Sequence, residues 1–203
     1  MKQFRNYGLI AMTIAGITIT SCKKEEVAPP AEENELEVIT DVKLVFTNAA
    51  DPSDVVEANA QDPDGGGAQS LTILNDINLD TSKTYILTYE IANNLDTPGE
   101  DIGAEILAED DEHQFFFSFS NDAFANPTGD GNVDAASDPL GYNDQDDNGF
   151  PVGLSTTWVT SGTQLSSGTF NIRLQHQPGI KTATSGANDG DTDFDLTFVL
   201  NIQ

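Results

Sequence analysis

The chain has 203 residues, 34 of them acidic and eight basic, for a formal charge of −26. A surface of that sign repels phosphate backbones, which excludes nucleic acid as a partner, and it attracts cations or basic protein surfaces instead. A single cysteine excludes an intrachain disulfide and a thiolate metal cluster, so the core must come from apolar side chains, among them 11 Phe, four Tyr and one Trp.

Lys2 and Arg5 stand before an apolar run from about Tyr7 to Thr20. A short positive region followed by a short apolar one is a secretory signal, and the run is too short to cross a hydrocarbon core of roughly 30 Å comfortably. It ends in Ile19-Thr20-Ser21-Cys22, where a bacterial lipobox places the cysteine that receives a diacylglycerol thioether. The alternative is an ordinary cleavage site beside a free cysteine. Removal of 1–21 takes away Lys2 and Arg5 and no acid, moving the formal charge from −26 to −28. Anionic headgroups repel such a surface, so membrane attachment falls to the lipid on Cys22, with two or more acyl chains for a stable anchor. Residues 22–35, with Lys23-Lys24-Glu25-Glu26 and then mostly Pro, Ala and Glu, cannot bury a core and read as an acidic tether. Lysine followed by acids just past the lipid cysteine resembles the signal that sends Bacteroidota lipoproteins to the cell surface. An outer-membrane protein displayed on the cell surface is the expectation, with the periplasmic face as the alternative.

From residue 36 to 203 the chain reads as one domain. Val38, Thr40, Val42, Leu44 and Phe46 alternate with a second set and predict a strand. A weaker strand covers 55–60 and ends in Asp62-Pro63-Asp64-Gly65-Gly66-Gly67, a turn by composition. Short apolar pieces follow at 71–74 and 77–79, then a strand at 85–93 with Tyr85, Leu87, Tyr89 and Ile91 on one face. Thr97-Pro98-Gly99-Glu100 has the form of a helix start, with Thr97 as cap and Pro98 at the first helical position. Ile102 and Ile106 then fall at helical spacing among acids. Residues 113–120 predict a strand with Phe115, Phe117 and Phe119 on one face and Phe116 on the other. A long loop over 121–138 precedes a short strand at 140–143. Strands at 154–160, with Trp158, and 169–176 follow, and 193–202 alternates Phe194, Leu196, Phe198, Leu200 and Ile202 inward with Asp193 and Asp195 outward. Seven to nine short strands and one short acidic helix predict an all-β, antiparallel, immunoglobulin-like β-sandwich, a monomeric domain.

Taken together, the lipobox, the acidic segment running into Glu-His-Gln-Phe-Phe at 112–116, Asp-x-Asp-x-Asn-Gly at 144–149, Leu-x-His at 174–176 and the terminal amphipathic strand resemble a group of uncharacterised Bacteroidota outer-membrane lipoproteins. Members of that group are sometimes labelled as having a type 1 periplasmic-binding fold. The label implies a two-lobed α/β protein, and the strand pattern contradicts it. The resemblance implies a compartment and no activity.

Two constellations carry chemistry. Asp144, Asp146, Asn148 and Gly149 reproduce the first half of a calcium loop, where oxygen donors on alternate residues converge on Ca²⁺ and glycine allows the turn. The second half is missing, since Ser155 stands where a bidentate Glu belongs. Asp130, Asp134 and Asp138 are candidate lenders of the remaining oxygens, and a plain turn selects the same residue types. The second constellation joins the only two histidines. Counting strand reversals from 113 puts His113 and His176 at the same end of the sandwich, provided that 140–143 is a strand. With Glu112, Glu109 or Asp110 beside them they would suit Zn²⁺ or a similar divalent metal. A satisfied structural histidine is the plain alternative for each, and core packing the plain one for Trp158 and the tyrosines. No nucleophile elbow, free thiol or Ser-His pairing supports catalysis. The expected function is a non-enzymatic, lipid-anchored envelope protein that binds a divalent metal or serves an outer-membrane receptor or transporter. The alternative is an adhesive surface module with a calcium-rigidified loop.

Overall fold

The computed structural model describes residues 37–62, 64 and 70–203. The expected signal and tether over 1–35, with Cys22, lie outside the described residues, as does most of the glycine turn after Asp62. Within them the alternation written in the sequence becomes two sheets. In β1 (Asp41–Asn48) Val42, Leu44 and Phe46 are buried while Asp41, Lys43 and Val45 are half-exposed. It pairs on one side with β2 (Val55–Gln61) and on the other with β5 (Thr84–Asn93), both antiparallel. The sheet extends through β3 (Thr72–Ile73) beyond β2, and through β9 (Thr156–Thr160) and β8 (Phe124–Asn126) beyond β5. The second sheet runs β4 (Ile77–Leu79), β11 (Asp191–Ile202), β10 (Leu165–His176), β7 (His113–Phe119). Its ladders are antiparallel except that of β4 with β11.

One apolar core lies between the sheets, as the fold class predicts. Phe46 of the first sheet meets Phe170 of the second at a ring separation of 5.8 Å. Trp158 is fully buried, with Phe117, Phe119, Phe124 and Phe170 at 4.8–5.5 Å around it. Its indole N–H donates to Thr156 Oγ1 at 2.7 Å, which satisfies the one polar atom this packing buries. The two-lobed α/β arrangement implied by the periplasmic-binding label is absent among the described residues, where a single helix accompanies eleven strands. The count exceeds seven to nine because β3, β8 and the two-residue β6 (Glu100–Asp101) are too short to show a period.

Two local expectations are corrected. The helix α1 spans Ile102–Ala108, and its cap is Asp101 rather than Thr97. β6 pairs with the end of β5 and holds Glu100 and Asp101 extended. The helix can begin only after it, where Asp101 Oδ1 accepts the Ala104 N–H at 3.1 Å. Ile102 and Ile106 then face inward as predicted. Asp101→Ala should therefore lower stability by about 1 kcal/mol, the usual worth of an N-cap, read as a shifted urea midpoint with unchanged slope. The second correction concerns 140–143. No ladder strand forms there; Tyr142 alone bridges Thr156, and β8, inside the predicted loop, pairs with β9 instead.

Candidate metal centre

β7 begins at His113 and β10 ends at His176. The strands are antiparallel neighbours, and their register sets His113 directly opposite His176. Adjacency brings the two together, so the strand at 140–143 is not needed for it. Both rings lie on the face of Phe115 and Leu174 and close one end of the core, stacked with centroids 4.5 Å apart and planes 2° from parallel. His113 is fully buried and His176 is 6% exposed.

The helix orients the inner ring. α1 ends just before β7, and the Glu109 carbonyl accepts a hydrogen bond from His113 Nδ1 at 3.1 Å. That contact puts the proton of the neutral imidazole on Nδ1 and leaves the Nε2 lone pair directed elsewhere. Nε2 has no hydrogen-bond partner. At 3.8 Å from it lies Asp193 Oδ2, whose side chain is also fully buried. Neither Asp193 oxygen makes a hydrogen bond; the Glu37 amide approaches without good geometry. On the outer ring, His176 Nε2 lies 3.4 Å from Glu112 Oε2, while Nδ1 is unpartnered. Glu109, His113 and His176 each place a donor atom within 4.8 Å of the others, with Glu109 exposed to solvent. Of the expected residues, His113, His176 and Glu109 converge, while Glu112 meets only His176.

Burial disfavours the charged form of both His113 and Asp193. Burial pushes His113 down from 6.5 to about 4, and the charges of His176 and Lys181 add to the effect. Burial pushes Asp193 up from 3.8 to about 6, against the charge of His176. Glu37 is also raised, by burial and then by Glu105 and Glu109, so several acids crowd the same corner. At neutral pH a lone pair of His113 and a carboxylate face each other with no proton between them. A bound cation would relieve that arrangement.

Asp193 was expected to point outward and does not. Leu174 pairs with Phe194 but Gln175 pairs with Thr192, so Asp193 is the extra residue of a β-bulge. A bulge bends its strand and re-aims one side chain. Asp195, two residues on, keeps the outward face and pairs with Arg173 at 2.6 Å. No sequence signal marks the slip, because the ladder partner that reveals it is 18 residues upstream in a strand of its own.

The calcium expectation meets a different geometry. Asp144 turns both oxygens onto backbone, accepting the Gly153 and Ser155 amides at 2.8 and 3.1 Å. Asp146 Oδ1 accepts the Asn148 and Phe150 amides, each at 2.9 Å. Its Oδ2 lies 3.1 Å from Lys181 Nζ, both side chains being buried. Lys181 also donates to the Asp110 carbonyl at 2.6 Å, which ties the loop to the end of the helix. The position of an ion among these carboxylates is held by an ammonium, and Asn148 is exposed. Asp130, Asp134 and Asp138 converge separately, with donor oxygens within 4.8 Å of one another.

No helix among the described residues is long and apolar enough to cross a membrane. Comparison of the chain with protein-family models, with curated proteins and with solved structures finds no match.

Proposed function

We propose that this protein is a non-enzymatic lipoprotein, anchored to the outer membrane through Cys22, that holds a divalent transition metal at His113, His176 and Glu109 and presents it to an outer-membrane transporter. The observation that carries the proposal is the buried His113 Nε2, a lone pair without a hydrogen-bond partner 3.8 Å from the Asp193 carboxylate, on a ring stacked against a second imidazole. Two imidazoles with carboxylates form a zinc-type donor set. The acidic surface would concentrate the cation, and the tether would let the domain reach a receptor. Zinc–nitrogen bonds of about 2.0–2.1 Å lie in the ring plane, so two parallel rings can ligate one ion only after one turns. His113 is held by the Glu109 carbonyl, so His176 is the ring that would have to turn.

Calorimetric titration of the full chain with Zn²⁺ should show stoichiometric binding of micromolar affinity or better. The His113→Ala/His176→Ala variant should lose it while keeping its β-sheet circular dichroism. A protein silent to Zn²⁺ but stabilised by Ca²⁺, and made insensitive by Asp134→Asn, would instead support an adhesive module stiffened at Asp130, Asp134 and Asp138.

A further inference from the structure

We infer that Asp193 is the buried carboxylate ligand of this centre, and that it confines the cargo to borderline divalent ions of the Zn²⁺ class. The inference rests on the metal reading above and adds the one donor that only the folded chain supplies.

A carboxylate inside a protein is normally paired or hydrogen-bonded, since burying it otherwise is costly. Asp146 follows that rule, with two amides and Lys181 around it. Asp193 does not. Its side chain is fully buried, only the Glu37 amide approaches it, short of a well-formed hydrogen bond, and the equally unpartnered His113 Nε2 lies 3.8 Å away. Two buried acceptors this close are what one shared cation would join. The bulge at Asp193 is what turns it inward. Bulges of this kind occur where a side chain must be re-aimed.

The donor set then selects the ion. His113 and His176 offer nitrogen and Glu109 oxygen within one cluster, and Asp193 offers oxygen to His113 from beside it. Both methionines and the cysteine lie at or before residue 22, so the chain beyond it has no sulfur to favour Cu⁺. Ca²⁺ takes six to eight oxygens and Mg²⁺ keeps several waters, which two imidazoles at a buried strand end do not provide. Zn²⁺, which takes nitrogen and oxygen ligands, matches those donor types. The ligands are also graded in depth, from exposed Glu109 through His176 to His113 and Asp193 at the bottom. An ion captured at the acidic rim would therefore end on the inner pair.

The test uses the full chain with Zn²⁺ and, as a spectroscopic probe, Co²⁺. Asp193→Asn should weaken Zn²⁺ binding by more than about 100-fold, beyond what loss of an outer-shell partner costs. Asp195→Asn, on the outward face of the same strand, should leave affinity unchanged. Asp193→Cys loaded with Co²⁺ should show the thiolate-to-cobalt charge-transfer absorption that only direct ligation produces, which keeps the test decisive even if Asp193→Asn folds poorly. Wild-type binding with an unaltered Asp193→Asn affinity, or Co²⁺ bound to Asp193→Cys without that absorption, would overturn Asp193 as a ligand and leave the metal reading standing. A wild-type chain that binds neither ion would overturn both.

Discussion

Asp193→Asn is expected to stabilise the metal-free protein at pH 7 by about 2 kcal/mol, even as it removes the proposed ligand. Burial raises the Asp193 carboxyl from 3.8 to about 6. A shift of that size corresponds to about 3 kcal/mol of unfavourable charge burial at neutral pH, part of which a buried amide would still incur. The sign follows from proton binding. Between the unfolded and folded values the native state holds more proton than the unfolded one, so this group adds stability at low pH and loses it as pH rises through about 6. The advantage of the variant is therefore full above pH 6 and vanishes near pH 4. His113 acts oppositely: lowered to about 4, it costs stability as pH falls below 6.5. The two slopes offset one another in the wild type, and the variant should show the acid loss of His113 alone. Urea denaturation at pH 7, 5 and 4 measures this; an Asp193→Asn chain less stable than wild type at pH 7 would contradict it. Saturating Zn²⁺ should reverse the order, since only a state that binds the ion gains from it. A residue that destabilises the empty fold and is needed by the loaded one follows the usual trade of stability for function.

Lys181→Ala is expected to lower stability by about 3 kcal/mol, the lower part of the range for removing one partner of a buried ion pair. The loss comes from stranding Asp146, whose side chain is fully buried beside the ammonium. Burial alone would raise the Asp146 carboxyl, but the Phe150 amide and Lys181 outweigh it and hold it below its ordinary value. Its contribution is thus present above pH 3.8 and fades as pH falls through the lowered value. Combining Lys181→Ala with Asp146→Asn should cost less than the sum of the two single changes, because the amide keeps the Oδ1 contacts to Asn148 and Phe150 without a charge to neutralise. A double-mutant cycle by thermal denaturation gives the coupling, and strict additivity would rule the pair out as a unit. The Lys181 ammonium is also why millimolar Ca²⁺ should leave the 144–149 loop of the wild type unaffected.

Much of the sandwich is legible in single strands. β1, β5 and β11 each bury one face and wet the other, and a strand has a period of two that any such element must print on its sequence. Phe115, Phe117 and Phe119 likewise announced the inner face of β7. The short helix was visible through Ile102 and Ile106, but its start was not. Thr97-Pro98-Gly99-Glu100 carries the local signal of a cap, and pairing of Glu100 with Asn93 overrode it. Local preference set the rule and a strand pairing decided the case.

The chain on its own determines the acidic charge, the absence of usable sulfur after residue 22, the strand content and the Ile19-Thr20-Ser21-Cys22 stretch on which export and anchoring are proposed. It also names His113, His176, Glu109 and Glu112, because histidine occurs only twice in it and acids crowd one of the two. Only the tertiary structure decides that β7 and β10 are neighbours, that Glu112 meets His176 across 64 residues, and that a one-residue slip in β11 turns Asp193 inward. It likewise gives the carboxylates of the half calcium loop to amides and Lys181. The division has one physical cause. Burial of a strand face is a property of the strand itself, whereas a buried polar centre is assembled from segments far apart in the chain, whose register is set by the partners they pair with.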